Sequence, residues 1–491
     1  LWSSGETSSS IWVSGTGSKS VSLTGTYTKS DGTTCSLTSD TYTFTINPSP
    51  TLTITNESGT EDLNGTNTIE LEATYTSGST ISWSTGASAD SIFVTSAGEY
   101  TATVDLNGCT TIKTANIYEP IFVDDDGSDL TGTGTLASPY ETLSKGLTEV
   151  TSGGKVYVLP GTYQETVNIT KNVFIASDYY RLQDSAALHS TIIDGEGQRR
   201  LVNYDNTTEN LDSSKSKIVG FTMTGGFEEN DEGAGIYGGW NVSGTTQIKN
   251  CLIEDISRKC CASGIVLGWM SNAHLIMDSV FVKDIGQANY GDQRRAFYIY
   301  NGQLTLRNSV VENTEHDKSL FNLPNSAVLN LENVRITDVH ENYQDYGAVF
   351  YLGGSSKVYL NHVTIDNIYL DSRYIARILS NNVTFHVVNS VVDDAKGRFI
   401  WDQSSGAAEI EIHNSVIGNG ESGYTGSYLS SLPGVGQDGS LADNSEAIGY
   451  ANSNVLIGSK KFTSPLKDLT GTVRPAPLGS APDAGAYESD K

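Results

Sequence analysis

The sequence has no hydrophobic run of about 18 residues, so no segment has the length and composition of a transmembrane helix. Positive charge is also scarce: 30 Lys and Arg residues stand against 57 Asp and Glu residues, for a formal net charge of −27. A surface of this charge repels nucleic acids and anionic membranes, so we expect neither as a partner. No signal peptide is visible, which we interpret as the processing of an exported chain.

Cysteine is rare and does not form a recognisable framework. There are five cysteines, an odd number that leaves at least one thiol unpaired or paired outside this chain. No C-x-x-C pair occurs, so we do not expect a structural zinc site. Cys251 could form a local disulfide with Cys260 or Cys261, or it could remain a buried free thiol.

Residues that favour helices are uncommon, whereas Thr, Ser, Gly, Asn and Val dominate. This composition favours many short strands joined by polar turns. A length of 491 residues is typical of two to four domains. The composition therefore predicts an all-β protein with several domains.

The N-terminal region contains a repeat with an offset of 81 residues. The segment Trp2–Gly5 (WSSG) recurs as Trp83–Gly86 (WSTG), and Ser10–Val13 recurs as Ser91–Val94. Apolar and polar residues alternate after each copy, which predicts half-buried strands. Two strand patterns precede the second copy, whereas a single residue precedes Trp2. We therefore expect the first copy to be an incomplete domain of a longer array.

The W-S-x-G motifs and Asn107–Cys109 (NGC) resemble the tandem immunoglobulin-like repeats of very large bacterial surface adhesins. The resemblance covers residues 1–119. It implies a partial immunoglobulin-like domain at 1–49 and a further immunoglobulin-like domain at 50–119. In such domains Trp2 and Trp83 are expected to be buried between two sheets rather than to bind a sugar.

At residue 120 the pattern changes. Four motifs in a fixed order, at 122–129, 134–140, 153–163 and 172–175, resemble the first segment of the pectate-lyase-like, right-handed parallel β-helix superfamily. Between them, Leu143, Leu147 and Val150 lie on one face of a predicted amphipathic helix. We expect this helix to cap the N-terminal end of the β-helix, because an uncapped end would expose backbone groups and apolar side chains.

The next segment repeats a degenerate unit of 25 to 30 residues, in which an apolar residue follows a mostly polar anchor three positions later. The anchors are Ser190, Gly220, Asn250, Asp278, Asn308, Asn333, His362, Asn389 and Asn414. After the first anchor, the apolar residues are Met223, Ile253, Phe281, Val311, Ile336, Ile365, Val392 and Ile417. This repeat length, with β-branched segments of period two, predicts a three-sheet parallel β-helix at 120–435. The anchors are expected to stack in a turn, because Asn tolerates the left-handed conformation.

Two motifs close the chain, Asp468–Pro475 (DLTGTVRP) and Pro482–Glu488 (PDAGAYE). They resemble the closing segment of secreted bacterial β-helix proteins, in which a sorting domain is often removed during type IX secretion. The resemblance implies that residues 436–491 close the β-helix. It also implies an extracellular location, either secreted or attached to the bacterial cell surface.

Polar loops of variable length follow the anchor strands, and coils about 4.8 Å apart bring loops of neighbouring coils onto one face. Tyr rings can stack on pyranose faces, and Arg can pair with sugar carboxylates or sulfates. A solvated loop face with incidental charges is the alternative. We predict a glycan- or surface-binding site formed by Arg294, Arg295, Tyr343, Tyr346, Arg373 and Tyr374.

The acidic run at the predicted domain junction contains Asp124, Asp126 and Asp129. Carboxylate oxygens are the ligands that calcium prefers, so these residues form a candidate calcium site. A solvated turn is the alternative. Calcium is the one cofactor that the sequence brings into consideration.

Two functions remain open. The first is a non-catalytic, adhesin-like surface protein, a β-helix on an immunoglobulin-like stalk that binds a polysaccharide or a cell-surface glycan. The second is a polysaccharide lyase or glycoside hydrolase acting on acidic polysaccharide, since the loops offer Arg, His and Tyr as acid or base. Asp393–Asp394 matches one motif of the glycoside hydrolases with this fold, but their Gly-His-Gly and Arg-Ile-Lys motifs are missing. We assign no catalytic residue and rank the first function higher.

Overall fold

The computed structural model describes the chain except for residues 59–61, 64–66, 206, 229–232, 240, 259–263, 269–271, 287–294, 317–318, 342–346, 370–373, 394–397, 419–423, 432, 476–479 and 490–491. The chain divides into two compact units, Leu1–Glu119 and Pro120–Lys491. Strands dominate both units, which confirms the all-β class. Among the described residues, no helix is long and apolar enough to cross a membrane.

The first unit consists of small antiparallel sheets compatible with β-sandwich modules. Two of them have two strands each, Gly17–Val21 with Tyr42–Ile46 and Thr24–Thr28 with Thr34–Thr38. Two further sheets have three strands each. Their strands are Leu52–Asn56, Ile69–Tyr75 and Ser91–Val94 in one, and Thr80–Trp83, Gly98–Leu106 and Cys109–Ile117 in the other. Side chains of both three-stranded sheets form one core, in which Trp83 is 4% exposed.

The 81-residue repeat forms the same turn in both copies. The indole Nε1 of Trp2 donates to Ser8 O at 2.8 Å, and that of Trp83 donates to Ala89 O at 2.9 Å. The backbone bond from Gly5 N to Trp2 O also has its counterpart, from Gly86 N to Trp83 O. The sequence repeat is therefore a structural repeat as well. The expected burial is wrong for Trp2, which is partly exposed because, among the described residues, the two-stranded sheets near it form no shared core like the one around Trp83.

The second unit is a right-handed parallel β-helix, as predicted. Its nine-stranded sheet contains Val167–Asn168, Val202–Tyr204, Ile236–Gly238, Ile265–Leu267, Arg295–Ile299, Ser319–Leu323, Ala348–Leu352, Tyr374–Ile378 and Arg398–Asp402. The other faces of the coils form a 21-stranded sheet, made of Ile121–Val123, Lys155–Val158, Gly161–Tyr163, Phe174–Ser177, Thr191–Arg199, Lys217–Val219, Thr222–Glu228, Ser243–Lys249, Leu252–Ile253, Ser257–Arg258, Asn272–Asp278, Phe281–Lys283, Gln303–His316, Val328–Glu341, Lys357–Ile365, Ile368–Tyr369, Thr384–Val388, Val391–Val392, Glu409–His413, Ser415–Ile417 and Tyr428–Leu429.

A residue with positive φ bends the 21-stranded sheet into two faces in each coil. These residues are Gly220, Asn250, Ser279, Asn308, Asn333, His362, Asn389 and Asn414. Amide side chains of the row also bond neighbouring coils: Asn333 Nδ2 donates to Asn308 Oδ1 at 3.0 Å, and Asn389 Nδ2 donates to Asn361 Oδ1 at 3.2 Å. We call this row the turn ladder. It places the predicted anchors in one stack, because only the left-handed conformation permits so tight a turn.

The predicted register is wrong at one coil, and the predicted turn conformation is wrong at another. Ser279, not Asp278, has the left-handed conformation, and Val282, not Phe281, is fully buried in the core. The Asp278 carboxylate instead faces outward and accepts from Asn308 Nδ2 at 2.9 Å. Ser190, the earliest anchor, is the last residue of the short helix Ala187–Ser190 rather than a left-handed turn residue.

The interior of the β-helix is packed coil on coil. Ile336 and Ile365, each three residues beyond an anchor, are 0% exposed. Inside the nine-stranded sheet, the ring of Phe321 stacks between Phe297 at 4.6 Å and Phe350 at 5.5 Å. Each coil therefore covers its apolar side chains with those of its neighbours, as a solenoid requires.

The N-terminal end of the core is covered by the helix Leu143–Glu149. Leu143, Leu147 and Val150 are all buried. Glu165 binds the first turn of the helix, because its Oε1 and Oε2 accept from the backbone N–H groups of Leu143 at 2.6 Å and Ser144 at 2.8 Å. A carboxylate at this position also interacts favourably with the helix dipole.

The C-terminal segment packs along the turn ladder. The hairpin Asn454–Ile457 with Lys460–Thr463 precedes the two closing motifs. The Arg474 side chain is 1% exposed and forms an ion pair with Glu488 at 3.0 Å. Its Nη2 donates to Asn333 Oδ1 at 3.2 Å, and its Nη1 donates to His362 Nδ1 at 3.0 Å. The two motifs thus meet each other on the ladder.

A substitution of Ile336 tests the stacking of the coils. Ile336→Asp places a carboxylate where no water reaches it, and we expect a loss of several kcal/mol, comparable with the net stability of a domain. The control Ile336→Val removes one methyl group and should cost about 1 kcal/mol. Circular dichroism during heating provides the measurement. Equal Tm values for Ile336→Asp and the wild type would contradict the assigned register.

The His362 side chain predicts a pH dependence. Burial, with the neighbouring Arg474 charge, holds the pKa of His362 well below its ordinary value. The unfolded chain therefore binds a proton below about pH 6.5 that the folded protein does not, so stability is complete above that pH and falls as the pH drops. Replacement by Asn, the usual ladder residue, should reduce the loss of Tm between pH 7 and pH 5. The variant His189→Asn, at an exposed histidine, should leave that loss unchanged.

Candidate functional site

The outer face of the nine-stranded sheet carries a continuous row of aromatic and polar side chains. Alternate residues of a strand face opposite sides, so the neighbours of the inward Phe297, Phe321 and Phe350 point outward. The strand register aligns these neighbours across the sheet. We call this row the outer stripe; it consists of Asn203, Tyr237, Val266, Tyr298, Asn322, Tyr351, Arg377 and Trp401.

The two ends of the outer stripe differ in exposure. Tyr237 and Tyr298 are only 4% and 6% exposed. Tyr351 and Trp401, in later coils, are partly exposed. A ligand that reaches the stripe therefore meets aromatic surface chiefly at its C-terminal end.

Arg377 lies between the partly exposed rings of this end, and it is itself largely covered, with 7% of its surface exposed. Its guanidinium carbon lies 5.4 Å from the ring centre of Tyr351 and 4.4 Å from that of Trp401, which belong to the preceding and following coils. Nε and Nη2 both donate to Gln403 Oε1, at 3.3 and 3.2 Å. A cation between two rings is held flat and in a single orientation.

Tyr374 extends the aromatic surface sideways. Its ring stacks on Trp401 with centroids 5.1 Å apart and planes inclined by 28°. Both rings are partly exposed. Together with Tyr351 and Arg377 they form what we call the aromatic platform: Tyr351, Tyr374, Arg377 and Trp401.

Two of the six predicted binding residues lie among the described residues. Arg295 and Tyr374 are the first residues of two strands in the nine-stranded sheet. The strand register aligns both with Ser319 and Ala348, so they lie at the same end of their strands, three strands apart. At about 4.8 Å per strand, this separation is roughly 14 Å. Arg294, Tyr343, Tyr346 and Arg373 lie outside the described residues, so the predicted six-residue site stays a prediction.

Arg–aromatic pairs recur along the outer stripe. Arg200 lies over the Tyr237 ring at 4.1 Å, and Arg295 lies over the Tyr298 ring at 4.7 Å. These pairs, like the one at Arg377, place positive charge against the sheet of a strongly acidic chain. Arg295 is predicted as a binding residue because of its position in a loop, but its aromatic partner Tyr298 belongs to the same strand.

Tyr351, Arg377 and Trp401 are not among the residues predicted to bind a ligand. The predicted binding residues belong to loops, whereas these three lie within strands. The period-two pattern of each strand would have placed them on the outside, next to the apolar residues that enter the core. Their alignment across coils depends on the register, which variable loop lengths conceal.

The aspartates of the acidic run do not all take part in one cluster. The carboxylates of Asp124, Asp125 and Asp126 offer oxygens within 4.8 Å of one another. Asp129 is used differently: its Oδ1 accepts from Glu141 N at 2.9 Å, and its Oδ2 accepts from Thr142 Oγ1 at 2.7 Å. Asp129 thus supports the residues just before the capping helix, and the calcium site stays a prediction.

No protein-family model and no curated protein matches this chain. Solved structures with a similar chain path include a rhamnogalacturonan lyase, with 12% identity, a TM-score of 0.23 and coverage of 65% of this chain and 71% of that one. A family 28 exopolygalacturonase from Yersinia enterocolitica has 10% identity, a TM-score of 0.27 and coverage of 78% and 99%. XylC in complex with xylose has 10% identity, a TM-score of 0.30 and coverage of 75% and 98%. Likenesses this weak carry no argument about the function of this chain.

Proposed function

We propose that this chain is an extracellular, adhesin-like protein that binds a glycan along the outer stripe without cleaving it. The observation that supports this most is the aromatic platform, where partly exposed Tyr and Trp rings flank an oriented guanidinium group. Aromatic rings stack on the apolar faces of pyranoses. Tyr351 and Trp401 lie two coils apart, about 10 Å along the stripe, so an extended sugar chain lying along the stripe would reach both rings.

The charge of the platform favours a glycan that carries carboxylates or sulfates. Arg377 is held by Gln403, and the guanidinium group matches the planar geometry of a carboxylate. The net charge of −27 repels an acidic polymer from most of the surface. An acidic glycan would therefore bind where Arg377 and the arginines over the rings of the outer stripe lie, rather than unspecifically along the molecule.

The extracellular location, the type IX secretion route and the role as a surface adhesin belong to the same proposal. They rest on the repeats at 1–119 and on the two closing motifs of the sequence. In this proposal the N-terminal modules connect the β-helix to neighbouring domains of a longer chain. The β-helix then presents the aromatic platform to a polysaccharide or to another cell surface.

Binding to defined polysaccharides tests the platform. Calorimetric titration with polygalacturonate and with neutral xylan should show saturable binding to the full chain. We expect Trp401→Ala to weaken that binding about tenfold, the effect of losing an interface anchor worth somewhat more than 1 kcal/mol. Arg377→Met, which preserves the packing between the rings, should weaken binding of polygalacturonate more than binding of xylan.

The control for these variants is Trp12→Ala, since Trp12 is 98% exposed in the other unit. This substitution should leave both affinities unchanged. Wild-type affinity in Trp401→Ala and Arg377→Met would disprove the platform as the binding surface.

Product formation decides between binding and catalysis. A lyase acting on uronate polymers would generate ultraviolet-absorbing unsaturated ends, and a hydrolase would generate reducing ends. We expect neither product during long incubation with polygalacturonate, with or without added calcium. A rise in absorbance that Arg377→Met abolishes would make this chain a lyase and reject the non-catalytic proposal.

A further inference from the structure

Two adjacent strands of the 21-stranded sheet carry a cluster of histidines and carboxylates. The strands Thr384–Val388 and Glu409–His413 pair in parallel, with His386 opposite Glu411. Phe385, Val387 and Ile412 are 0% exposed and face the core. Strand alternation therefore directs the residues between them to the outer face. These residues are His386, Glu409, Glu411 and His413, which we call the His–Glu cluster.

Three side chains of the His–Glu cluster converge, and the fourth, His413, is joined to them through Glu411. His386 Nε2 lies 3.0 Å from Glu409 Oε1, and His413 Nε2 lies 2.9 Å from Glu411 Oε2. Ligand atoms of His386, Glu409 and Glu411 all lie within 4.8 Å of one another. Donors around a tetrahedral zinc ion are roughly 3.4 Å apart, as follows from bonds of about 2.0–2.2 Å. Small rotations of the Glu409 and Glu411 side chains, which are both at least partly exposed, would bring the ligand atoms to this separation.

His386 is held in place by packing. Its side chain is 3% exposed, and its ring lies 5.4 Å from Tyr359 and 6.2 Å from Phe462 of the C-terminal hairpin. Its Nδ1 is buried and has no hydrogen-bond partner among the described residues. The aromatic walls therefore fix the ring while Nε2 faces the carboxylates. Apolar surroundings of this kind strengthen metal–ligand interactions.

The two glutamates have an electrostatic reason to bind a cation. Glu409 and Glu411 are two residues apart on the same face of one strand, in a chain of net charge −27. Neutral histidine, the form that predominates at pH 7, offers lone pairs but no compensating charge. A divalent cation would compensate both carboxylates and use both imidazoles.

We propose that His386, Glu409, Glu411 and His413 bind one divalent transition-metal ion of the zinc class. Imidazole nitrogens favour zinc and its neighbours, whereas calcium prefers an all-oxygen site. The ion joins two consecutive coils near the C-terminal end of the β-helix, beside the closing hairpin. It lies on the 21-stranded sheet rather than on the outer stripe, so its role is structural and independent of glycan binding. The lack of a C-x-x-C pair does not bear on this site, because its donors are imidazoles and carboxylates.

Titration of the full chain with zinc alone tests this site. Protein without a purification tag, first stripped with a chelator, should bind one Zn²⁺ per chain with micromolar or lower Kd and gain Tm on loading. His413→Gln and Glu411→Gln, at partly exposed positions, should each raise the Kd at least tenfold. His274→Gln is the matched control, because His274 lies on the same sheet with its Nε2 2.9 Å from Thr305 Oγ1. It should bind zinc like the wild type.

Three results would overturn the proposal. The first is the lack of saturable zinc binding to chain that melts cooperatively after chelation. The second is an unchanged Kd in both cluster variants, or an equal rise in His274→Gln. The third is displacement of zinc by equimolar calcium, which would indicate an oxygen-only site elsewhere.

Discussion

The stacking of the coils depends on the left-handed residue that the turn ladder has in each coil. From Gly220 to Asn414 these residues hold φ between 50° and 84°, and the residue three positions beyond each of them is 0% exposed in the core. If the pairing register of the strands in the 21-stranded sheet shifted by one residue, their inward-facing side chains would lie on the solvent face. The ladder residues are not equally spaced along the chain, but all of them, Ser279 included, have the left-handed conformation. Coils of unequal length can therefore share one core, since the loops absorb the difference.

The turn ladder also provides the contact surface for the C-terminal segment. A stack of amide side chains offers hydrogen-bonding groups that the next coil uses only in part. Arg474 donates to Asn333 and His362, and Asn389 Nδ2 donates to Asn452 O at 3.0 Å. Arg474 and Glu488 are both buried, so each needs the other to compensate its charge. The closing motifs thus contact the ladder through hydrogen bonds, and Ala484 of the second motif adds apolar packing against Val391 and Val416.

Because the coils are regular, different faces of the β-helix have different sets of aligned side chains. In the nine-stranded sheet the outward positions align as the outer stripe, with arginines against aromatic rings. On the 21-stranded sheet the same alternation aligns the His–Glu cluster. Neither set needs a loop for its position, because the register of the strands already fixes the side chains on a rigid surface. A substitution on one face should leave the other intact.

The sequence alone determined the class and the repeat. Composition indicated an all-β chain, the 25- to 30-residue period indicated a β-helix, and Leu143, Leu147 and Val150 were found where a capping helix needs them. These features depend on local sequence or on a periodic pattern, so they can be recognised in the amino-acid sequence. The tertiary structure alone brought Tyr351, Arg377 and Trp401 together, and likewise His386 and Glu411. Such residues are a full coil apart in the chain, and they become neighbours only when parallel pairing sets the register across loops of variable length.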